Sequence, residues 1–139
     1  MLQFLLDTDH LTLLEHGHPP LKLHLTAQPQ GSVGLSVVTV EESLSGRLAA
    51  IRGARDGAAR IARYRSLQNT LQLLRQFPVV PFDQAAEDCF QQLWALRLRI
   101  GTSDLKIAAI TLANNLILVT RNRRDFGRIP GLKLDDWSV

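Results

Sequence analysis

GTSDLKIAAITLANNLILVT, residues 101–120, places a helix and a buried strand side by side. SDLKIAAITLAN reads as a helix closed by Asn114 and Asn115, residues that tolerate left-handed backbone, and LILVT (116–120) is a short unbroken apolar run of the kind a strand buried on both faces shows. One aspartate, Asp104, stands just ahead of the apolar part of the helix. Thr102 or Ser103 can cap that helix, and a first-turn carboxylate interacts well with its dipole. Whether Asp104 does more depends on where the other acids of the chain fall.

The same alternation recurs along the sequence. LQFLL (2–6) is a strand, and TDHLTLLEHG after it is a helix ended by Gly17 and by Pro19 and Pro20. SVGLSVVTV (32–40) is β-branched and strand-like, and from Thr39 the pattern turns helical through EESLSGRLAAIRGA. Residues 57–76 form a second amphipathic helix, completing a helical hairpin. FPVVPF (77–82) is a short strand between prolines, Asp83 caps the helix DQAAEDCFQQLWALRLR, and LKLDDW near the end adds an edge strand. Strands alternating with helices predict an α/β fold, a three-layer sandwich whose mostly parallel central sheet is flanked by helices. At 139 residues the chain has the size of one domain, spanning 1–139.

With 45% hydrophobic and 21% charged residues and no apolar run near the roughly 18 residues of a membrane span, the composition is that of a globular protein without a membrane segment. MLQFLLDTDH lacks a basic n-region and meets Asp7 early, so it reads as a first strand, not an export signal, and a cytoplasmic protein is expected. The single cysteine, Cys89, falls at a core position of its helix, which excludes a disulfide framework or a thiolate zinc site. His10, His16, His18 and His24 form no metal motif and are expected at surface or turn positions. Sixteen basic against thirteen acidic residues leave a net charge of +3, which permits an anionic partner. Arg121, Arg123, Arg124 and Arg128 cluster after the 116–120 strand, as a basic rim or a solvated loop.

In such sheets ligands bind beyond the carboxyl ends of the strands. Asp7 follows the first strand, Glu42 the second, Asp125 the 116–120 strand, and Asp104 opens the helix before it. Each has a purely structural reading: Asp7 and Asp9 as turn or cap residues, Glu42 as capping-box partner of Thr39, Asp104 as a dipole residue, Asp125 as a loop acid. Four acids at one sheet edge make those readings less economical. Clustered carboxylates repel each other, and a divalent cation turns the repulsion into attraction. Hard oxygen ligands suit Mg²⁺ or Mn²⁺, and the reaction that fits is phosphodiester hydrolysis by a metal-activated water. Thr8, Ser36, Thr39, Ser103, Thr120 and Asn122 are then candidates to brace the acids or orient water.

On LLDTDHL, SVVTVEESLSG and the long stretch GTSDLKIAAITLANNLILVTRNRRDFGRIPGLKLDDW, in that order and spacing, the chain resembles the PIN-domain ribonucleases, and more narrowly the VapC-type toxins of toxin–antitoxin pairs. The resemblance spans nearly the whole chain. It implies that Asp7, Glu42, Asp104 and Asp125 are the metal-binding and catalytic acids, supported by Asn122, with Glu42 favoured over its neighbour Glu41. Asp9 stands where many members have asparagine and is assigned to capping. The resemblance further implies Mg²⁺- or Mn²⁺-dependent cleavage of RNA, a homodimer, and inhibition by a VapB-type antitoxin. Arg121, Arg123 and Arg124 are candidate contacts to RNA phosphates, and the apolar helix surface in 44–76 is a candidate partner contact. The D-x-D start FLLDTDH is shared with haloacid-dehalogenase-type phosphatases, but Leu11 departs from their motif and TSDLKIAA and TRNRRDF stay unexplained by it.

Overall fold

The computed structural model describes residues 1–139. Five strands, β1 (Phe4–Leu6), β2 (Val33–Ser36), β3 (Val79–Val80), β4 (Ile117–Val119) and β5 (Lys133–Asp135), form one sheet in the order β3-β2-β1-β4-β5. Every pairing is parallel, so the sheet is wholly and not merely mostly parallel. The register sets Leu5 beside Gly34 and Leu118, and Leu6 beside Leu35 and Val119. Because side chains alternate along a strand, these two rows face opposite sides, and each side carries its own core.

Seven helices cover the faces: α1 (Thr8–Glu15), α2 (Pro19–Thr26), α3 (Val37–Arg52), α4 (Gly57–Leu74), α5 (Gln84–Ala95), α6 (Thr102–Ala113) and the single turn α7 (Arg123–Phe126). On one side Leu5 and Leu118 pack with α5, α6 and Phe126, and Cys89 sits partly buried against this cluster. On the other, Leu6, Leu35 and Val119 pack with Leu11, Leu21, Leu74 and Trp137. Residues 107–111 of α6 are all buried, as a helix wedged between sheet and α5 requires. Gly34 has a steric cause: a Cβ there would lie 2.8 Å from the Pro78 carbonyl oxygen, so a side chain would push β3 off β2. No helix is long and apolar enough to cross a membrane.

Several expectations need correction. Pro19 and Pro20 do not merely end a helix; they open α2, where proline's missing N–H costs nothing. The second strand stops at Ser36, and Val37–Val40 form the first turn of α3 despite their β-branching, because Ser36 Oγ caps the helix by accepting from Thr39 N at 3.1 Å. Glu42 is therefore no capping-box partner of Thr39. Helix α6 begins at Gly101 without a side-chain cap, so neither Thr102 nor Ser103 caps it. Asn114 and Asn115 do close α6, with Asn115 at φ 53°.

Candidate active site

The chain runs β1, β2, β3 outward to one edge of the sheet and β4, β5 to the other, so the strand order switches direction between β1 and β4. A crevice opens at the carboxyl ends of the strands at such a point. Asp7 leaves β1 and caps α1, its Oδ1 accepting from His10 N at 2.8 Å; its residue is only 5% exposed. Glu42 stands one turn beyond Thr39 on α3 and accepts a 2.6 Å hydrogen bond from Thr8 Oγ1. Thr8 Oγ1 also lies 3.2 Å from Thr39 Oγ1, which ties the first turns of α1 and α3 together. Asp104 is the third residue of α6, and Asn122 follows β4, its N–H donating to the buried Thr120 Oγ1 at 3.0 Å.

Asp7, Thr8, Glu42, Asp104 and Asn122 line one polar recess of about 380 Å³, with Asp9 and Arg121 at its rim. A larger cavity of about 590 Å³ lies elsewhere, walled by Trp94, Leu98, Ile100 and Leu105, and no carboxylate enters it. The polar recess is the one equipped for acid and metal chemistry. At its rim Asp9 and Arg121 form a two-pronged pair, Nε to Oδ2 at 2.6 Å and Nη2 to Oδ1 at 3.2 Å. Asp9 is thus an ion-pair partner and not the cap of α1; Asp7 is the cap.

The acids differ in how they are held. Burial, and then the nearby carboxylates of Glu42, Asp7 and Asp125, push Asp104 up from the ordinary aspartate range to about 6. No hydrogen-bond donor offsets those influences. Asp125 is within reach of Asp104 electrostatically but does not line the recess. Arg128 Nη2 donates to its Oδ1 at 2.7 Å, and Asn122, which caps α7, donates to its Oδ2 at 3.3 Å. Glu41 is exposed and stands apart from this set.

The donor chemistry fits a hard divalent cation, being carboxylate oxygens with hydroxyl and amide neighbours and no free cationic side chain among them. The side chains are not already closed around an ion: no three His, Cys, Asp or Glu groups stand in ligating arrangement. Glu42 is instead paired with Thr8 and Asp125 with Arg128.

Of the residues singled out in the sequence, Asp7, Glu42, Asp104, Thr8 and Asn122 meet at the recess. Thr39 and Thr120 are buried behind it as hydrogen-bond partners, Ser36 caps α3, and Ser103 is half-buried without a side-chain hydrogen bond. Arg121, Arg123 and Arg124 lie on the surface around the turn after β4, and only Arg121 is ion-paired. His10 overturns the expectation of a surface histidine: it is fully buried, its ring against Asp7. Its i+3 spacing from Asp7 at the start of α1 is the one signal of this that the sequence carries.

A PIN domain profile matches residues 5–132. The chain is 30% identical to the tRNA(fMet)-specific endonuclease VapC of Shigella flexneri, over 99% of this chain and all of that relative. It is 25% identical to ribonuclease VapC1 of Haemophilus influenzae (strain R2866), over 97% of this chain and 98% of the relative. Among solved structures, a chain of DNA-bound VapBC from Salmonella typhimurium superposes with a TM-score of 0.82 at 26% identity, covering 99% of both chains.

Proposed function

The chain belongs to the PIN domain family, and from that premise we propose that it is a VapC-type endoribonuclease, dependent on Mg²⁺ or Mn²⁺, acting as the toxin of a cytoplasmic toxin–antitoxin pair. The observation that carries this reading is the recess itself: carboxylates from the starts of α1, α3 and α6 converge there, and Asp104, which has no hydrogen-bond donor, is pushed up to about 6 by burial and by the other acids. Residues 1–139 make up one nuclease domain in this reading.

Asp7, Glu42 and Asp104 would hold the ion, and Asp125 would join them by exchanging its pairing with Arg128. When bound, the ion supplies a more acidic water and neutralises charge gathering on the phosphoryl oxygens. The rest falls to the chain's own groups. Asp7 receives its donors on Oδ1, which leaves Oδ2 for the recess. Thr8 fixes the rotamer of Glu42 through Oε1, so that Oε2 is the oxygen free to ligate or to take a proton from water. Asn122 and Thr120 hold the turn after β4 that closes the recess. Arg123 and Arg124, without carboxylate partners, stand beside the site as contacts for RNA phosphates.

A VapB-type antitoxin and a second copy of the chain are the proposed protein partners. Support comes from apolar side chains left in solvent on the helical hairpin, Leu48 on α3 and Ile61, Tyr64 and Leu71 on α4, together with the VapBC relative.

Incubation of the purified chain with total cellular RNA in Mn²⁺, mapped at nucleotide resolution, tests the reading. Discrete cuts lost with a chelator and in Asp104→Asn are expected. Cuts that survive both would remove the metal–carboxylate mechanism.

A further inference from the structure

His10 is fully buried beside a carboxylate at the recess, and the chemistry proposed for the recess does not use it. Its surroundings define its hydrogen bonding. On one edge Nδ1 lies 3.2 Å from Asp7 Oδ1, and on the other the Trp137 backbone N–H points at Nε2 across 3.2 Å. An N–H facing Nε2 requires a lone pair there, so the ring proton belongs on Nδ1 and is donated to Asp7. Asp136 Oδ1, 3.5 Å from Nε2, is already occupied by Ser138 N at 2.8 Å and Ser138 Oγ at 2.6 Å.

Asp7 Oδ1 therefore accepts two N–H groups from one residue, the backbone and the ring of His10. The backbone bond alone satisfies the helix cap. The second fixes the rotation of the carboxylate about its own axis, which a cap does not need and a ligand does. The arrangement inverts the usual capping box, in which the third helical residue reaches back to the backbone of the cap residue; here it reaches the cap's carboxylate.

What holds the ring is remote in sequence. Trp137 is 1% exposed, packs on Phe4 with centroids 4.9 Å apart, stacks on His24 at 5.8 Å, and donates Nε1–H to Asp135 Oδ2 at 3.0 Å. The segment after β5 is thereby locked to the start of α1. Every buried polar side-chain atom in the chain has a partner, as a rigid network requires.

We propose that His10 is a positioning residue of the recess, which, anchored by the Trp137 amide, holds Asp7 Oδ1 and presents Asp7 Oδ2 to the metal. This rests on the metal-binding role proposed for Asp7, and the two are separable by experiment.

Mn²⁺ affinity of the full chain is measured by the loss of the free-ion electron paramagnetic resonance signal, with thermal melting followed in parallel. Asparagine places its amide nitrogen near the position of Nδ1, and glutamine places its amide oxygen near that of Nε2. His10→Asn keeps the bond to Asp7 and drops Trp137; His10→Gln keeps Trp137 and drops Asp7. We expect His10→Gln and His10→Leu to weaken Mn²⁺ binding by about 10-fold or more, and His10→Asn to stay within about threefold of wild type while melting lower than His10→Gln. Equal weakening in the Asn and Gln variants, or affinity unchanged in all three, would overturn the positioning role. Asp7→Asn is the separate control: undiminished Mn²⁺ binding there would overturn the metal reading itself.

Discussion

The first turns of α1 and α6 each deliver one aspartate to the same recess, and the two are treated in opposite ways. Asp7 is a helix cap, nearly buried, with two N–H donors on one oxygen and a histidine wedged behind it. Asp104 follows a glycine start with no side-chain cap, and its carboxyl meets burial and three other carboxylates. The fold compensates the charge of Asp7 and leaves that of Asp104 uncompensated. A carboxylate whose charge is already met supports structure as well as chemistry. One whose charge is unmet destabilises the chain until a proton or a bound cation offsets it.

The largest effects should be shared by the two residues, and the next should set them apart. RNA cleavage should fall by about 100-fold or more in both Asp7→Asn and Asp104→Asn, as assayed on one defined RNA in Mn²⁺. Stability should then diverge. Asp7→Ala removes a cap and strands the buried His10 ring N–H, costing about 2–4 kcal/mol in urea denaturation of the metal-free protein. Asp104→Asn should instead raise metal-free stability above that of wild type. Destabilisation by both substitutions would collapse the contrast.

The pH dependence sharpens it. An aspartate raised to about 6 in the folded chain binds more protons there than in the unfolded chain, so its penalty is absent below the ordinary value near 3.8 and grows as pH rises to about 6. The advantage of Asp104→Asn should be of order 1 kcal/mol at pH 8, after allowance for solvent screening, and should vanish by about pH 3. For the same reason the rise in wild-type melting temperature on adding Mn²⁺ should be smaller at pH 5 than at pH 8. A pH-independent advantage would assign the gain to packing.

This contrast between the two aspartates is half legible in the sequence. Short apolar runs locate the inner strands because a parallel sheet is buried on both faces, the edge strand β5 carries only one apolar residue between Lys133 and Asp135, and three of the four acids stand out by lying shortly after a strand. Helix starts are harder. SVVTV carries β-branched residues that suit a strand, and only Ser36 capping, together with Val38 entering one core and Val40 packing against the other, converts it to the first turn of α3. Glu42 does reach the recess, but the capping role its spacing suggests belongs to Ser36. Asp125 reads as a fourth equivalent acid, yet Arg128, three residues on, draws it aside. His10 is readable only in its i+3 spacing from Asp7, because the partner that fixes its tautomer, Trp137, is 127 residues away. Local spacing shows which side chains can meet along a helix; it does not show which backbone amide arrives from the far end of the chain.

The smallest expected effect concerns the rim, where the same distinction between met and unmet charge recurs. Arg121 is paired through two hydrogen bonds with Asp9, whereas Arg123 and Arg124 have no carboxylate within ion-pair distance. A guanidinium already bound to a carboxylate has little net charge to offer a phosphate, so the three arginines should not contribute equally to RNA binding. With catalytically inactive Asp104→Asn as background, the salt dependence of RNA affinity reads the number of phosphates neutralised. Arg123→Ala and Arg124→Ala should each flatten the log–log slope by up to about 0.7, and Arg121→Ala by less. Asp9→Asn should steepen it by releasing Arg121, and Arg121→Ala added to Asp9→Asn should cancel that gain. Equal flattening by all three arginines would mean that the pair opens readily in the presence of RNA, and would make Asp9 a bystander instead of a restraint.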